Sequence, residues 1–268
     1  MDFYLGFKDA NAWPTLFVLL YSSSRLRNLV FTSFVLNGLL TLGSLLVFEF
    51  ILFPMFNHSV FSWFYYVIIL VLFYFKSFWV LPLFFLSFLW QQRSHKRIAS
   101  LSIQVFSKSK SLASREKSVF TAIAAESYRG IVLTCFLLQA YLVSYIPWIG
   151  SIVSFLNYSL ISSYYSFEFI WMDQGLSLEK RIEELESQTL YYLGFGFPFA
   201  FISFIFPHVA LNQGCFLLFY PFFIMMGTRA FTLKRNQKSI IRIPWFYLSR
   251  KLANVIVQRM SKNAIVDA

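Results

Sequence analysis

Charge is the scarcest commodity in this chain of 268 residues. Asp, Glu, Lys and Arg together make up 13% of it, against about a quarter in a soluble domain. Acidic residues are the scarcer half: 12 stand against 23 basic ones, for a net charge of +11. Cysteine is nearly absent, and two residues cannot build a disulfide-rich secreted scaffold. Ten glycines and eight prolines rule out a collagen-like or low-complexity chain. What fills the space is apolar. Hydrophobic residues reach 58%, 35 of them are Phe, and mean hydropathy is +0.62. A chain so rich in aromatics is not disordered, and one so poor in charge is not an ordinary soluble domain.

The apolar residues form runs. Residues 29–56 hold one charge, Glu49; residues 61–90 hold one, Lys76; residues 130–172 hold one, Glu168; residues 190–228 hold none. A spanning helix needs about 20 mostly apolar residues, because the hydrocarbon layer is roughly 30 Å thick and a helix rises 1.5 Å per residue. The first two runs are each long enough for one tilted span, and the last two for a pair of helices. Pro147-Trp148-Ile149-Gly150 divides the third run; Pro207-His208 and Asn212-Gln213-Gly214 divide the fourth. The spacing predicts helices near 29–56, 61–90, 130–146, 150–172, 190–206 and 209–228. In the last pair, Gly194, Gly196 and Pro198 weaken the first helix and Pro221 interrupts the second. That pair reads as two short spans or as a hairpin that dips in and returns. The expected fold is therefore all-α: a polytopic helical membrane protein with two long spanning helices plus two helical pairs that span or re-enter the bilayer. Unbroken apolar runs speak against a barrel, whose strands alternate over about ten residues.

Of the 23 basic residues, 22 fall in four polar segments. These are the N-terminal residues 1–28, the loop 91–129, the helix 177–188 and the tail 229–268. Even pairing of the runs puts all four on one side, and the positive-inside rule makes that side the cytosol. Both termini are expected there. No basic cluster or small-residue cleavage site precedes the first run, so that run is expected to act as an uncleaved insertion signal. Pro14 and the stretch 16–21 suggest a short helix on the surface. Residues 177–188 place Leu178, Ile182 and Leu185 in one stripe on a charged helix; the stripe packs on its own membrane domain or docks a partner. Residues 245–259 put Trp245, Leu248, Leu252, Val255 and Ile256 opposite Arg250, Lys251 and Arg259, a pattern for an interfacial helix on anionic lipid. That amphipathic pattern does not favour nucleic acid as a partner.

Charges inside apolar runs are costly, so each is a candidate functional position. Glu49, Lys76 and Glu168 are the three. Lys76 can snorkel, Glu49 can be hydrogen-bonded inside the bundle, and Glu168, near the cytosolic end, can reach water or Lys180 and Arg181; alternatively they line a polar path for an ion or a lipid headgroup. No catalytic, metal or cofactor site emerges. His58, His95 and His208 lack metal-ligand spacing; His58 and His208, the two expected on the non-cytosolic side, make a poor metal site by themselves, and Cys135 and Cys215 read as small core residues. Gly194-Phe195-Gly196 neither follows a strand nor opens a soluble helix, so it is no nucleotide fingerprint. It suits close helix packing or a kink beside Pro198. Asn57-His58-Ser59 is a sequon in a loop too tight for a glycan.

The stretch 164–201 carries a Phe167-Glu168-Phe169 patch, a charged helix, then Tyr191, Tyr192, Gly194, Phe195, Gly196 and Pro198 at the entry to the next apolar helix. That arrangement resembles the signature region of the etoposide-induced protein 2.4 family. Segments 214–225, 46–56 and 78–87 resemble further parts of it, in order. The resemblance implies an endoplasmic reticulum membrane protein needed for autophagy and linked to growth control, with importin-β and Bcl-2-class proteins as partners. The N-terminal segment is shorter than in animal members, which bears on an importin contact there. The wider superfamily resembles the bacterial sulfate permease CysZ and implies long spans plus hemi-penetrating hairpins. It supplies no catalytic residues. Three readings follow: a non-enzymatic organiser of lipid or partners, a small-anion transporter, and a lipid scramblase. Membrane lipids are partners in all three, and an oligomer is compatible with each.

Overall fold

The structure is a computed structural model that describes residues 1–47, 50–51, 81–107, 119–202, 204, 209–233 and 243–266. Among the described residues there is no strand. The helices are α1 (Asp2–Ala10), α2 (Trp13–Ser22), α3 (Ser24–Leu36), a π-helical segment (Asn37–Gly43), α4 (Ser44–Val47), α5 (Leu81–Ser107), α6 (Val119–Val143), α7 (Gly150–Asp173), α8 (Leu178–Ser187), α9 (Thr189–Ile202), α10 (Val209–Thr232) and α11 (Tyr247–Val266).

Several boundaries follow from local chemistry. Ser23 and Ser177 cap α3 and α8, their hydroxyls accepting from the Leu26 and Lys180 amides. Gly175, with φ of +72°, ends α7: its N–H reaches the Met172 carbonyl, and the Leu176 N–H reaches the Trp171 carbonyl. The Pro147–Gly150 turn divides α6 from α7 as expected, with Trp148 at φ +68°. Other boundaries differ from the sequence reading. The polar segment 91–129 is helical at both ends, because α5 runs on to Ser107 and α6 begins at Val119. Pro198 and Pro221 sit inside continuous helices. Pro221 has no N–H to give the Leu217 carbonyl four residues back. The Asn37 side-chain amide donates to that carbonyl instead, at 2.7 Å, so the helix carries the proline without an orphan.

Among the described residues, one stretch is long and apolar enough to cross a bilayer, Gly214–Thr232. The expected span 29–56 is described only in part, as α3, the π segment and α4, and most of 61–90 lies outside the described residues. At 14 residues, α9 reaches about 21 Å, short of the roughly 30 Å of the hydrocarbon layer. The core lies around α10, which packs against α1, α2, α3, α4, α5, α7, α9 and the π segment. Buried rings fill it: Phe199 stacks on Phe223 at 4.0 Å, and Phe167 meets Trp171, Tyr192 and Phe195.

The first ten residues belong to this bundle. α1 runs antiparallel along α9, with Phe3 and Phe7 on Phe197. Glycines permit the approach: a Cβ at Gly194 would overlap the Phe3 carbonyl, and one at Gly6 the Tyr191 carbonyl. The surface helix expected near Pro14 is α2, with Leu16 and Leu19 buried and Phe17, Val18 and Tyr21 exposed.

Candidate functional site

Glu168 stands on α7 two turns before the corner that leads into α8. It is 1% exposed and so does not reach water, as the sequence had allowed. Its Oε1 accepts from the Arg129 guanidinium of α6 and from the Tyr164 hydroxyl at 3.2 Å. Arg181 of α8 lies 3.9 Å from the same oxygen. The Gly175 turn folds α8 back over α7, and the Arg181 Nε donates to the Leu176 carbonyl inside that turn. Both guanidiniums are largely enclosed, at 11% and 12% side-chain exposure. Two cations converging on one carboxylate offset the desolvation that a lone buried charge would suffer.

Two further carboxylates are held by arginines. Asp9 at the end of α1 lies 3.7 Å from Arg229 of α10 and accepts from the Tyr191 hydroxyl of α9. Glu186 of α8 accepts from the Phe246 amide at the start of α11, with Arg250 at 3.3 Å. A carboxylate on the first N–H groups of a helix also meets the positive end of its dipole. Each of the three clusters joins segments far apart in the chain.

His95 of α5 lies five residues beyond the apolar run. It is buried against Phe169 and Tyr220, the latter edge-on at 4.7 Å. Burial holds its imidazole down at about 3, so it is neutral near pH 7.

Of the other positions singled out from sequence, Glu49 and Lys76 lie outside the described residues, as do His58, His208 and the Asn57 sequon. Gly194, Gly196 and Pro198 do not line the Glu168 cluster. The two glycines set helix spacing: a Cβ at Gly196 would overlap the Ser159 carbonyl of α7, nine residues or about 13 Å along that helix from Glu168. Cys135 is buried and Cys215 partly so, both as free thiols. The stripe on α8 faces inward, with Ile182 and Leu185 fully buried. α11 has two apolar sides. Phe246, Ser249 and Ala253 are buried: Phe246 stacks on Phe136 and Ser249 bonds Gln139 of α6. The expected outer face of Leu248, Leu252, Val255 and Ile256 is exposed, while Trp245 precedes the helix and is partly buried against the core. Exposed apolar residues also crown the α6–α7 turn, with Trp148 at 94%.

Arg129 was the partner that sequence reasoning missed. It precedes the apolar run by one residue and reads there as part of a basic loop. Glu186 left a faint signal, since it continues the inward stripe of Ile182 and Leu185; Asp9 left none.

The profile of the family described as "Sulfate transporter CysZ/Etoposide-induced protein 2.4" matches residues 12–211. The chain belongs to this family. It is 27% identical over 262 residues to "Protein EI24 homolog" of Dictyostelium discoideum, covering 95% of this chain and 83% of that one. It is 27% identical over 261 residues to "Protein EI24 homolog" of Arabidopsis thaliana, covering 83% of this chain and 81% of the relative. "Ectopic P granules protein 4" of Caenorhabditis elegans is 30% identical over 123 residues, 45% of this chain and 39% of that protein. No solved structure matches. The resemblance that runs from Phe167 to Pro198 thus belongs to a match that takes in most of the chain. For this member of the EI24/CysZ family, the glycines of that motif are contact points between helices, and its Glu168 is the hub of an ion cluster. With the apolar composition, membership marks the chain as a helical membrane protein.

Proposed function

We propose that this protein is a non-enzymatic, multipass organiser in the endoplasmic reticulum membrane, with both termini in the cytosol, acting in autophagy by arranging lipid or recruiting partners. Family membership supports the membrane setting, and the resemblance supplies the compartment and the process. The observation that carries the organiser reading is the way the ionic groups are used. Asp9, Glu168 and Glu186 each hold an arginine from a distant segment, so these charges tie the bundle together, while its outer apolar residues at the α6–α7 turn and on α11 stay free to meet lipid. Ile182 and Leu185 are turned inward, which leaves the exposed charges of α8 (Glu179, Lys180 and Glu183) as the surface for a partner. Importin-β and Bcl-2-class proteins are the partner classes the resemblance suggests.

Autophagic flux in cells lacking the gene, rescued by wild type or by a Glu179→Lys, Glu183→Lys variant, tests this reading. The organiser requires that wild type restores flux at the endoplasmic reticulum and that charge reversal blocks rescue with insertion unchanged. Wild type failing to restore flux defeats it.

A second reading, transport of a small anion such as sulfate, is favoured by the family's description. Labelled sulfate uptake into vesicles holding the purified chain separates the two. Lipid flip-flop measured in the same vesicles tests the third reading, a scramblase.

A further inference from the structure

A cleft of about 420 Å³ opens between α6 and α7, within the roughly 300–1,000 Å³ range of ligand sites. Leu137, Ile161, Ser162 and Phe216 of α10 are among its lining residues. It runs from Thr134 and Tyr165 at one end to Tyr141 and Tyr158 at the other. Seven residues of helix separate those ends, or about 10 Å. The lip is apolar and open: Leu138 and Tyr141 are each 53% exposed. This lip continues into the exposed residues Leu142, Ile146 and Ile149 toward the α6–α7 turn.

The two ends differ in charge. Tyr165 lies one helical turn from Glu168 on the same face of α7, about 4.5 Å along the axis. Arg129 precedes Thr134 by five residues on α6 and pairs with Glu168, where Arg181 also converges. The cleft is thus an apolar slot with guanidinium groups gathered beyond one end.

Polarity decides what fits. The lining holds the hydroxyls of Thr134, Tyr141, Tyr158, Ser162 and Tyr165 but no charged side chain, and most of its surface is apolar. A flexible methylene chain needs only a narrow apolar slot, and an apolar lip lets it enter sideways from the bilayer. Two guanidiniums converge on one carboxylate there, so the cluster carries a net positive charge that favours an anionic phosphodiester at this end of the slot. We propose that this cleft holds one acyl chain of a phospholipid, with the lipid's phosphate at the Arg129–Glu168–Arg181 end. The proposal rests on the membrane setting of the organiser reading and gives its lipid partner a seat.

The test uses the full chain purified in mild detergent. It is exposed to phosphatidylserine carrying a diazirine on one acyl chain and, separately, to cholesterol carrying a diazirine. Labelled peptides are then mapped by mass spectrometry. The expected result is phospholipid labelling confined to peptides that contain 134–141 or 158–165. Ile161→Trp, which fills the slot, abolishes that labelling. Leu138→Trp, at the exposed lip where bulk does not disturb the core, closes the entrance and does the same if the buried variant fails to fold. Labelling spread over the outer surface, labelling that survives Leu138→Trp, no labelling at all, or preferential labelling by the sterol overturns the proposal. None of these readouts depends on autophagic flux, so a failed rescue in cells and an empty cleft in detergent are separate results.

Discussion

The two ends of α7 have much the same composition and opposite fates. From Tyr164 to Trp171 the helix is aromatic and almost wholly enclosed, its rings meeting residues of α9, α10 and α5 and its one carboxylate held by arginines. At the other end, Ile152 and the preceding turn residues Trp148 and Ile149 are as apolar, yet stand exposed. Aromatic and aliphatic content therefore says that a segment leaves water, without saying whether protein or lipid replaces it. The enclosed end has what a protein–protein contact needs: small residues for close approach, as Gly227 of α10 lies against the Ser166 carbonyl of α7, and polar groups that find partners. At the turn, Ser144 donates to the Tyr141 carbonyl and Tyr145 meets Tyr141, contacts within one turn of chain, while the large side chains stay exposed. The turn offers bulk and no complementary surface, which suits a fluid solvent of acyl chains.

Substitutions sharpen or break this contrast, with graded costs. Glu168→Gln removes the carboxylate from a cluster whose guanidiniums remain enclosed, and destabilisation of about 3–5 kcal/mol is expected. Thermal unfolding in detergent reads it, and a variant as stable as wild type would show the ion cluster to be incidental. Gly196→Val forces branched bulk into the Ser159 carbonyl, with an expected loss of about 1–3 kcal/mol; an unchanged melting curve would mean that α7 and α9 can part freely.

The third effect is pH-dependent. Burial lowers the His95 imidazole to about 3, below the 6.5 of an exposed histidine. The unfolded chain therefore binds the proton more readily than the folded one between these values. Stability is fully present above pH 6.5 and falls as pH drops toward 3, by up to about 1.4 kcal/mol per pH unit. Melting at pH 7 and pH 5 should show the loss, and His95→Phe should flatten it; a His95→Phe variant with the wild-type slope would assign the dependence elsewhere. The smallest effect belongs to the turn. Trp148→Ser changes stability in detergent by no more than about 0.5 kcal/mol, but weakens retention in vesicles at alkaline pH. A large loss of stability in detergent would reveal that Trp148 is packed after all.

Much of the fold was legible from local pattern. The Pro147–Gly150 turn could be read from spacing alone. Spacing left the stripe of Ile182 and Leu185 open between its own domain and a partner, and Gly194 and Gly196 open between close packing and a kink; the structure chose the first of each pair. The prolines misled, because a proline's cost depends on whether its orphaned carbonyl finds a donor. Asn37 supplies one to Leu217 from 180 residues away. The polar segment after Trp90 misled for a similar reason: its charges are real, but α5 keeps Ile98, Ala99, Ser102 and Ile103 on a buried face within it.

By itself the sequence determined that this is an all-helical chain of the membrane, since long uncharged runs leave the backbone no donor or acceptor but its own. Only the tertiary structure decided that Glu168 meets Arg129 as well as the Arg181 within its expected reach, that Asp9 and Glu186 have arginines of their own, and that α1 lies along α9. Periodicity is a property of neighbours in sequence. The choice of ionic partners depends on which helices can approach closely enough to exclude water, and that depends on packing over the whole bundle.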